Sequence, residues 1–173
     1  MSEWENDKRW SDRFVPEIKA ILGQALIGPA PTEEDQERNT DLIVLTMDRV
    51  RIACRVRDHS YLEKYADEFT IRTQRPSGIK TESTKIVEGW GDFFFYGIAD
   101  KNDERLAVWH LADLKVLRLT LFRMAVSLPA GELPGIPRQN RDGSSKFRAF
   151  RWDSFPLEMI IAQSGQPIVE AFD

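Results

Sequence analysis

The sequence has few of the residues that build disulfide frameworks or zinc sites. Its 173 residues include one cysteine and two histidines. A lone cysteine excludes an internal disulfide, and the histidines lie far apart without cysteine partners, so no zinc site is indicated. Cys54 falls on the apolar side of a predicted strand, which favours a buried structural thiol.

The chain also lacks long apolar runs, internal repeats and an excess of positive charge. No run approaches the ~20 apolar residues that cross a bilayer, and no signal-peptide pattern opens the sequence. We therefore expect a cytoplasmic protein that does not act at a membrane. The formal net charge of −4 argues against coating nucleic acid through bulk electrostatics, although it allows a local basic groove.

Composition and hydrophobic periodicity predict one globular domain that spans residues 1–173. The hydrophobic fraction of 42% is typical of a folded chain rather than a disordered one. Helical spacing covers 3–26, with Pro16 at a kink or a new helix start, and strands follow at about 41–46, 50–57 and 68–72. Thr81 is a candidate cap for the next helix, and DFFFYGI, apolar on both faces, is typical of a covered central strand.

The second half of the chain contains one long predicted helix and one long predicted loop. Asp113 can cap the helix, which carries Leu114, Leu117, Leu121 and Met124 on one stripe. Leu119, Phe122 and Val126 widen that stripe, so we expect a mostly buried helix. Residues 128–145 are predicted to form a loop, and KFRAFRW and FPLEMIIAQ add a C-terminal strand and a final segment.

The most informative stretch is TDLIVLTMDRVRIACRVRD, residues 40–58. Its second half alternates, because Ile52, Cys54 and Val56 share one face while the arginines at 51, 55 and 57 share the other. Alternation of this kind predicts a half-buried strand. Asp41 opens the preceding apolar run.

The predicted order through residue 98 is helix, three strands, helix, strand. This αβββαβ order resembles the core of the restriction-endonuclease-like superfamily, the PD-(D/E)XK nucleases. The resemblance implies an α/β or α+β fold with a mixed central sheet flanked by helices. The nuclease-like core would span about 10–127, with a C-terminal extension of about 128–173.

In that superfamily an acid near one strand and a Glu-x-Lys pair on the next hold Mg²⁺ and activate water. The matching positions here are Asp41, Arg55 and Arg57, and the two arginines depart from the pattern because a guanidinium cannot bind a metal ion. Asp41 is thus the one candidate metal ligand, with Mg²⁺ or Mn²⁺ expected only for a catalytic form. Glu68, Glu82 and Asp92 are candidates for a relocated acid.

Three interpretations of this face remain open. The acid has moved, or catalysis is lost while the arginines still bind phosphate, or the arginines pair with nearby acids on a solvated face. Residues predicted to contact nucleic acid come from this stretch and from a second basic cluster with interleaved aromatics: Arg49, Arg51, Arg55, Arg57, Arg141, Lys146 and Arg148.

These features predict a nuclease-like protein that acts on or binds nucleic acid, with DNA as the expected partner. If the protein is an enzyme, the expected reaction is Mg²⁺- or Mn²⁺-dependent cleavage of a phosphodiester. The alternative is a non-catalytic protein-interaction module of a phage or mobile element, with a protein partner. The sequence does not decide between enzyme and binding module, nor does it indicate an oligomeric state.

Overall fold

In the computed structural model of this chain, the described residues are 3–29, 42–44, 50–75, 80–140 and 142–165. Their helices are α1 (Glu3–Asp12), α2 (Val15–Leu26), α3 (Leu62–Tyr65), α4 (Glu82–Val87) and α5 (Leu114–Val126). Short 3₁₀ helices cover His59–Tyr61, Trp152–Ser154 and Leu157–Met159. Their strands are β1 (Ile27–Pro29), β2 (Leu42–Val44), β3 (Ile52–Arg57), β4 (Glu68–Gln74), β5 (Phe93–Ala99), β6 (Leu106–Asp113), β7 (Ile136–Gln139), β8 (Lys146–Arg151) and β9 (Ile160–Gln163).

Two sheets make up most of the described strands, and a short β1–β2 pair accompanies them. The larger sheet is mixed and has the order β3–β5–β6–β9, in which β3 runs parallel to β5 and the other pairs are antiparallel. The smaller sheet is antiparallel and has the order β4–β8–β7. The predicted α+β class, with a mixed sheet flanked by helices, is therefore confirmed.

The arrangement of these strands does not establish a restriction-endonuclease-like core. Although β4 follows β3 in the chain, it pairs with β8 in the other sheet, and β2 pairs with β1. The αβββαβ resemblance, like the core limits of about 10–127 drawn from it, stays a prediction.

The larger sheet separates two hydrophobic cores. On one side, Phe95 and Leu111 pack with Ile18 of α2 and with Phe14, which directly precedes that helix. On the other side, Phe94 and neighbouring side chains pack against α4, α5 and the smaller sheet. Because successive residues of a strand point to opposite faces, adjacent phenylalanines of β5 fill both cores. This confirms the prediction of a covered central strand.

Helix ends follow the predicted chemistry. The Thr81 hydroxyl accepts a hydrogen bond from the backbone N–H of Thr84, and the Asp113 carboxylate accepts from Lys115 N at 2.6 Å. Pro16 occupies the first turn of α2, where its missing N–H costs little. Gly89 follows Glu88, the C-cap of α4, with a φ of +86° and so ends that helix.

Three predictions about burial and local structure are wrong. Leu119, Phe122 and Val126 are exposed on α5, because the sheet and α4 cover only the stripe that contains Leu114 and Leu117. Cys54, on the edge strand β3, is exposed rather than buried. The predicted loop at 128–145 contains β7, which pairs with β8.

Within the described ranges, no helix is long and apolar enough to cross a membrane.

Candidate functional site

The arginine face of β3 contacts the smaller sheet. Arg55 lies opposite Tyr96 in the parallel ladder, and its side chain is only 10% exposed. It forms an ion pair with Glu82, and its Nη1 donates to the Thr70 carbonyl oxygen at 3.1 Å. Burial lowers the pKa of the Arg55 guanidinium, and the nearby Glu82 carboxylate opposes that change. Arg55 therefore links the two sheets as a buried, paired charge.

Glu82 connects three elements. It is the first residue of α4, directly after the Thr81 cap, and its Oε2 also accepts the backbone N–H of Arg72 at 3.0 Å. The carboxylate thus joins β3, β4 and the start of α4. An acid in the first turn of a helix also interacts favourably with the helix dipole. These contacts explain the position of Glu82 without a metal ion.

Arg57 lies next to a cleft formed by the 59–65 segment and one face of the smaller sheet. Its Nη2 donates to Thr70 Oγ1 at 2.7 Å and its Nε donates to Tyr96 Oη at 3.3 Å. The guanidinium carbon lies 5.0 Å from the ring centroid of Tyr61 and 5.9 Å from that of Phe147. These distances place a cation against two aromatic rings of the cleft.

The other predicted acids are engaged by separate partners. Glu68 Oε2 lies 3.7 Å from Arg138 Nη2, whereas the Asp92 carboxylate accepts the backbone N–H of Arg51 at 2.7 Å and so fixes the turn before β5. Among the described residues, no three His, Cys, Asp or Glu side chains are grouped to hold a metal ion. Glu68, Glu82 and Asp92 are thus each held by a different partner, and their role as relocated metal ligands stays a prediction.

Three of the predicted site residues, Asp41, Arg49 and Arg141, lie outside the described residues, so their roles stay predictions. Arg51 and Lys146 are exposed, and Arg148 donates to the Gly135 carbonyl oxygen at 3.1 Å. The structure thus brings Arg55 and Glu82 into contact and puts Arg57 beside the cleft. It holds Asp92 at a separate turn.

The cleft beside Arg57 has a volume of about 770 Å³, and we call it the tyrosine cleft. Its lining combines four aromatic side chains with charged groups from several elements. The aromatic residues are Tyr61, Tyr65, Tyr96 and Phe147, and the charged ones include Glu63, Lys64, Glu68, Lys101 and Arg138. The Tyr61 and Tyr65 ring centroids are 5.7 Å apart, and the Arg138 guanidinium lies 5.5 Å from the Tyr65 centroid.

The tyrosine cleft was not predicted from the sequence, although one signal for it exists. The segment SYLEKY places two tyrosines four residues apart, and this spacing puts side chains next to each other on one helical turn. The remaining walls come from β4, which follows closely in the chain, and from β5, β7 and β8, which are distant in the sequence. Only the folded sheet brings them to the tyrosines.

We compared the chain with models of protein families, with curated proteins and with solved structures, and none of them matches it. The geometry of the described residues is therefore the basis on which a function is inferred.

Proposed function

We propose that this chain binds single-stranded nucleic acid in the tyrosine cleft. The observation that supports the proposal is that aromatic rings and cations line one cleft of about 770 Å³. Proteins that bind single strands combine rings that stack on bases with cations along the backbone path. The volume of this cleft lies within the usual range for ligand sites, roughly 300–1,000 Å³.

The rings and the cations suit different parts of a nucleotide. Tyr61, Tyr65 and Phe147 are partly exposed and suit stacking on bases, whereas Lys64 and Lys101 are exposed at the cleft and suit phosphates. Arg57, held by Thr70 and Tyr96 against two of the rings, adds a fixed positive charge. Arg57, one of the arginines predicted to contact nucleic acid, lies beside the cleft and hydrogen-bonds the lining side chains of Thr70 and Tyr96.

The charge of the cleft is modest, so we expect weak and salt-sensitive binding. Glu63 and Glu68 also line it, and Arg138 offsets Glu68. The net charge of the whole chain is −4, so long-range attraction to nucleic acid is weak. Stacking, at about 1–3 kcal/mol per base, then supplies much of the affinity.

The proposal can be tested by fluorescence anisotropy with a labelled oligothymidylate of about 15 nucleotides, with the matching duplex as comparison. We expect the single strand to bind more tightly than the duplex, with an affinity that falls as salt rises. Tyr65→Leu keeps the apolar volume but removes the tyrosine ring, so we expect the dissociation constant to rise about tenfold. Arg138→Gln should weaken binding and flatten its dependence on salt.

Lys19→Ala serves as the matched control, because Lys19 is an exposed cation on α2 that does not line the cleft. Its affinity should equal that of the wild-type protein. Binding that Tyr65→Leu and Lys19→Ala affect equally, or no binding at all, would refute the proposal.

Incubation of the oligonucleotide with Mg²⁺ and with Mn²⁺ tests the separate prediction of cleavage, and cleavage that persists in Asp41→Ala would exclude Asp41 as a metal ligand.

A further inference from the structure

The opposite face of the smaller sheet carries a second depression, which we call the apolar groove. It has a volume of about 370 Å³ and lies between β4, β8, α4, α5 and the loop after α5. Ile71, Ile86, Leu121 and Phe150 line its inner part. Since side chains alternate along each strand, β4 and β8 supply this groove and the tyrosine cleft with different residues.

Large apolar side chains of the groove are also exposed to solvent. Val87 is 80% exposed, Phe122 67% and Leu133 51%, although each lines the groove. Trp90, in the turn after α4, and Leu119 and Val126 on α5 are further exposed apolar residues of these elements. A grouped apolar surface next to a groove is typical of a site that binds another protein.

Two arginines give the groove a definite charge. Arg118 donates to the Gly91 carbonyl oxygen at 3.2 Å, and Arg148 donates to the Gly135 carbonyl oxygen at 3.1 Å. No Asp or Glu occurs among the described residues that line the groove, and α5 has none in its sequence. The described lining of the groove thus presents two guanidinium groups and no carboxylate at an apolar surface, which suits an acidic ligand.

The groove continues into a second, more open depression of about 730 Å³. The two share Leu133, Pro134 and Arg148, and the open part also carries Glu132. Together the two depressions form a continuous surface with room for several side chains of a ligand rather than one. Such a shape fits a peptide segment with apolar anchors, as in complexes that place an amphipathic helix in a groove.

We propose that the apolar groove binds a short amphipathic segment of another protein, with apolar side chains in the groove and acidic ones at Arg118 and Arg148. The charge pattern disfavours a second copy of this chain as the ligand. A two-fold symmetric dimer through this surface brings the same arginine-bearing patch from both copies together, so like charges oppose each other. An acidic segment removes that repulsion.

Selection from a displayed library of random peptides of about 16 residues tests the proposal, with the intact chain as bait. We expect the enriched peptides to combine apolar residues at helical spacing with flanking acids. A synthetic copy of the best peptide is then measured by fluorescence anisotropy. Phe122→Glu puts an acid on the groove and should raise the dissociation constant of this peptide about tenfold or more. The double variant Arg118→Gln/Arg148→Gln should no longer bind acidic peptides more tightly than neutral ones.

Leu157→Glu is the matched control, because Leu157 is 89% exposed and lies outside the groove. It should bind the peptide as the wild type does. The proposal is wrong if no peptide is enriched, if the peptides lack acids, or if Phe122→Glu binds them normally. Sedimentation that detects a dimer which Phe122→Glu dissociates would also overturn it, because a second copy would then cover the groove.

Discussion

Stability of the fold should depend on pH through His110, because this histidine is held neutral between two strands. It lies in β6, opposite Tyr96 of β5 and Gln163 of β9, and its ring stacks on Trp152 with centroids 4.2 Å apart. Burial lowers the pKa of His110 from 6.5 to about 4, and a hydrogen bond with Gln163 opposes only part of that effect. At low pH, protonation of His110 therefore either places a charge in the folded interior or favours the unfolded chain.

The size and sign of the effect follow from the two pKa values. Below about pH 6.5 the unfolded chain takes up a proton at this histidine, whereas the folded protein does so only near pH 4. The free energy of unfolding thus falls as the pH drops through this window. At 1.36 kcal/mol per pKa unit, the loss is about 2 kcal/mol at pH 5 and about 3 kcal/mol at pH 4.

The measurement compares urea unfolding of the wild type and of His110→Phe, followed by circular dichroism. Phenylalanine keeps a ring against Trp152 but has no proton to gain, so carboxylates and other groups contribute equally to both proteins. Between about pH 7 and about pH 5, the wild type should lose about 2 kcal/mol more than the variant. Equal losses in the two proteins would refute the reasoning. An NMR titration, with the two histidine signals assigned through His59→Gln, should place the His110 midpoint near 4.

Two further predictions concern the contacts between the sheets and a tight loop. Glu82→Ala leaves the buried Arg55 without its ion-pair partner. Glu82 itself is 37% exposed, which reduces the expected cost to about 2 kcal/mol of the free energy of unfolding. The control Glu63→Ala, at an exposed residue, should cost less than about 0.5 kcal/mol. Gly135→Ala combines a φ of +87° with a Cβ only 2.6 Å from the Phe150 ring, so it should cost about 3 kcal/mol. Gly131 has the same φ but open space around its Cα, so Gly131→Ala should lower the free energy of unfolding, measured with urea, by only about 1 kcal/mol. Equal losses in the two variants would show that the Phe150 ring does not clash with the Cβ added at position 135.

The two proposed surfaces can be tested independently, because they lie on opposite faces of one sheet. Phe147 and Ala149 line the tyrosine cleft, while Arg148 and Phe150 line the apolar groove. Substitutions at Tyr65 should therefore leave peptide binding unchanged, and substitutions at Phe122 should leave oligonucleotide binding unchanged. A variant that loses both activities has lost its fold rather than one site.

Local features of the structure were predictable because they depend on neighbours in the chain. Thr81 and Asp113 cap helices through hydrogen bonds to residues within three positions, and Gly89 ends α4 because glycine accepts positive φ. The alternation in β3 likewise placed Arg55 and Arg57 on one face. What occupies that face could not be predicted, because Glu82 and Thr70 are far away in the sequence.

The error at α5 has the same origin. Periodicity indicates which residues share a helix face, but not how wide a stripe the rest of the fold covers. Here the sheet covers Leu114 and Leu117 and leaves Phe122 exposed, so an apparent core residue became part of a candidate binding surface.

The α+β class, the helix ends and the two-sided apolar character of β5 were predictable from the residues alone, since these features depend on local hydrogen bonding and on side-chain alternation. The pairing of distant segments in the folded chain puts β4 in a different sheet from β3, lets the arginines of β3 link the two sheets, and brings Phe147 into one cleft with Tyr61 and Tyr65. Those features depend on strand pairing between distant segments, which the local pattern of residues does not encode.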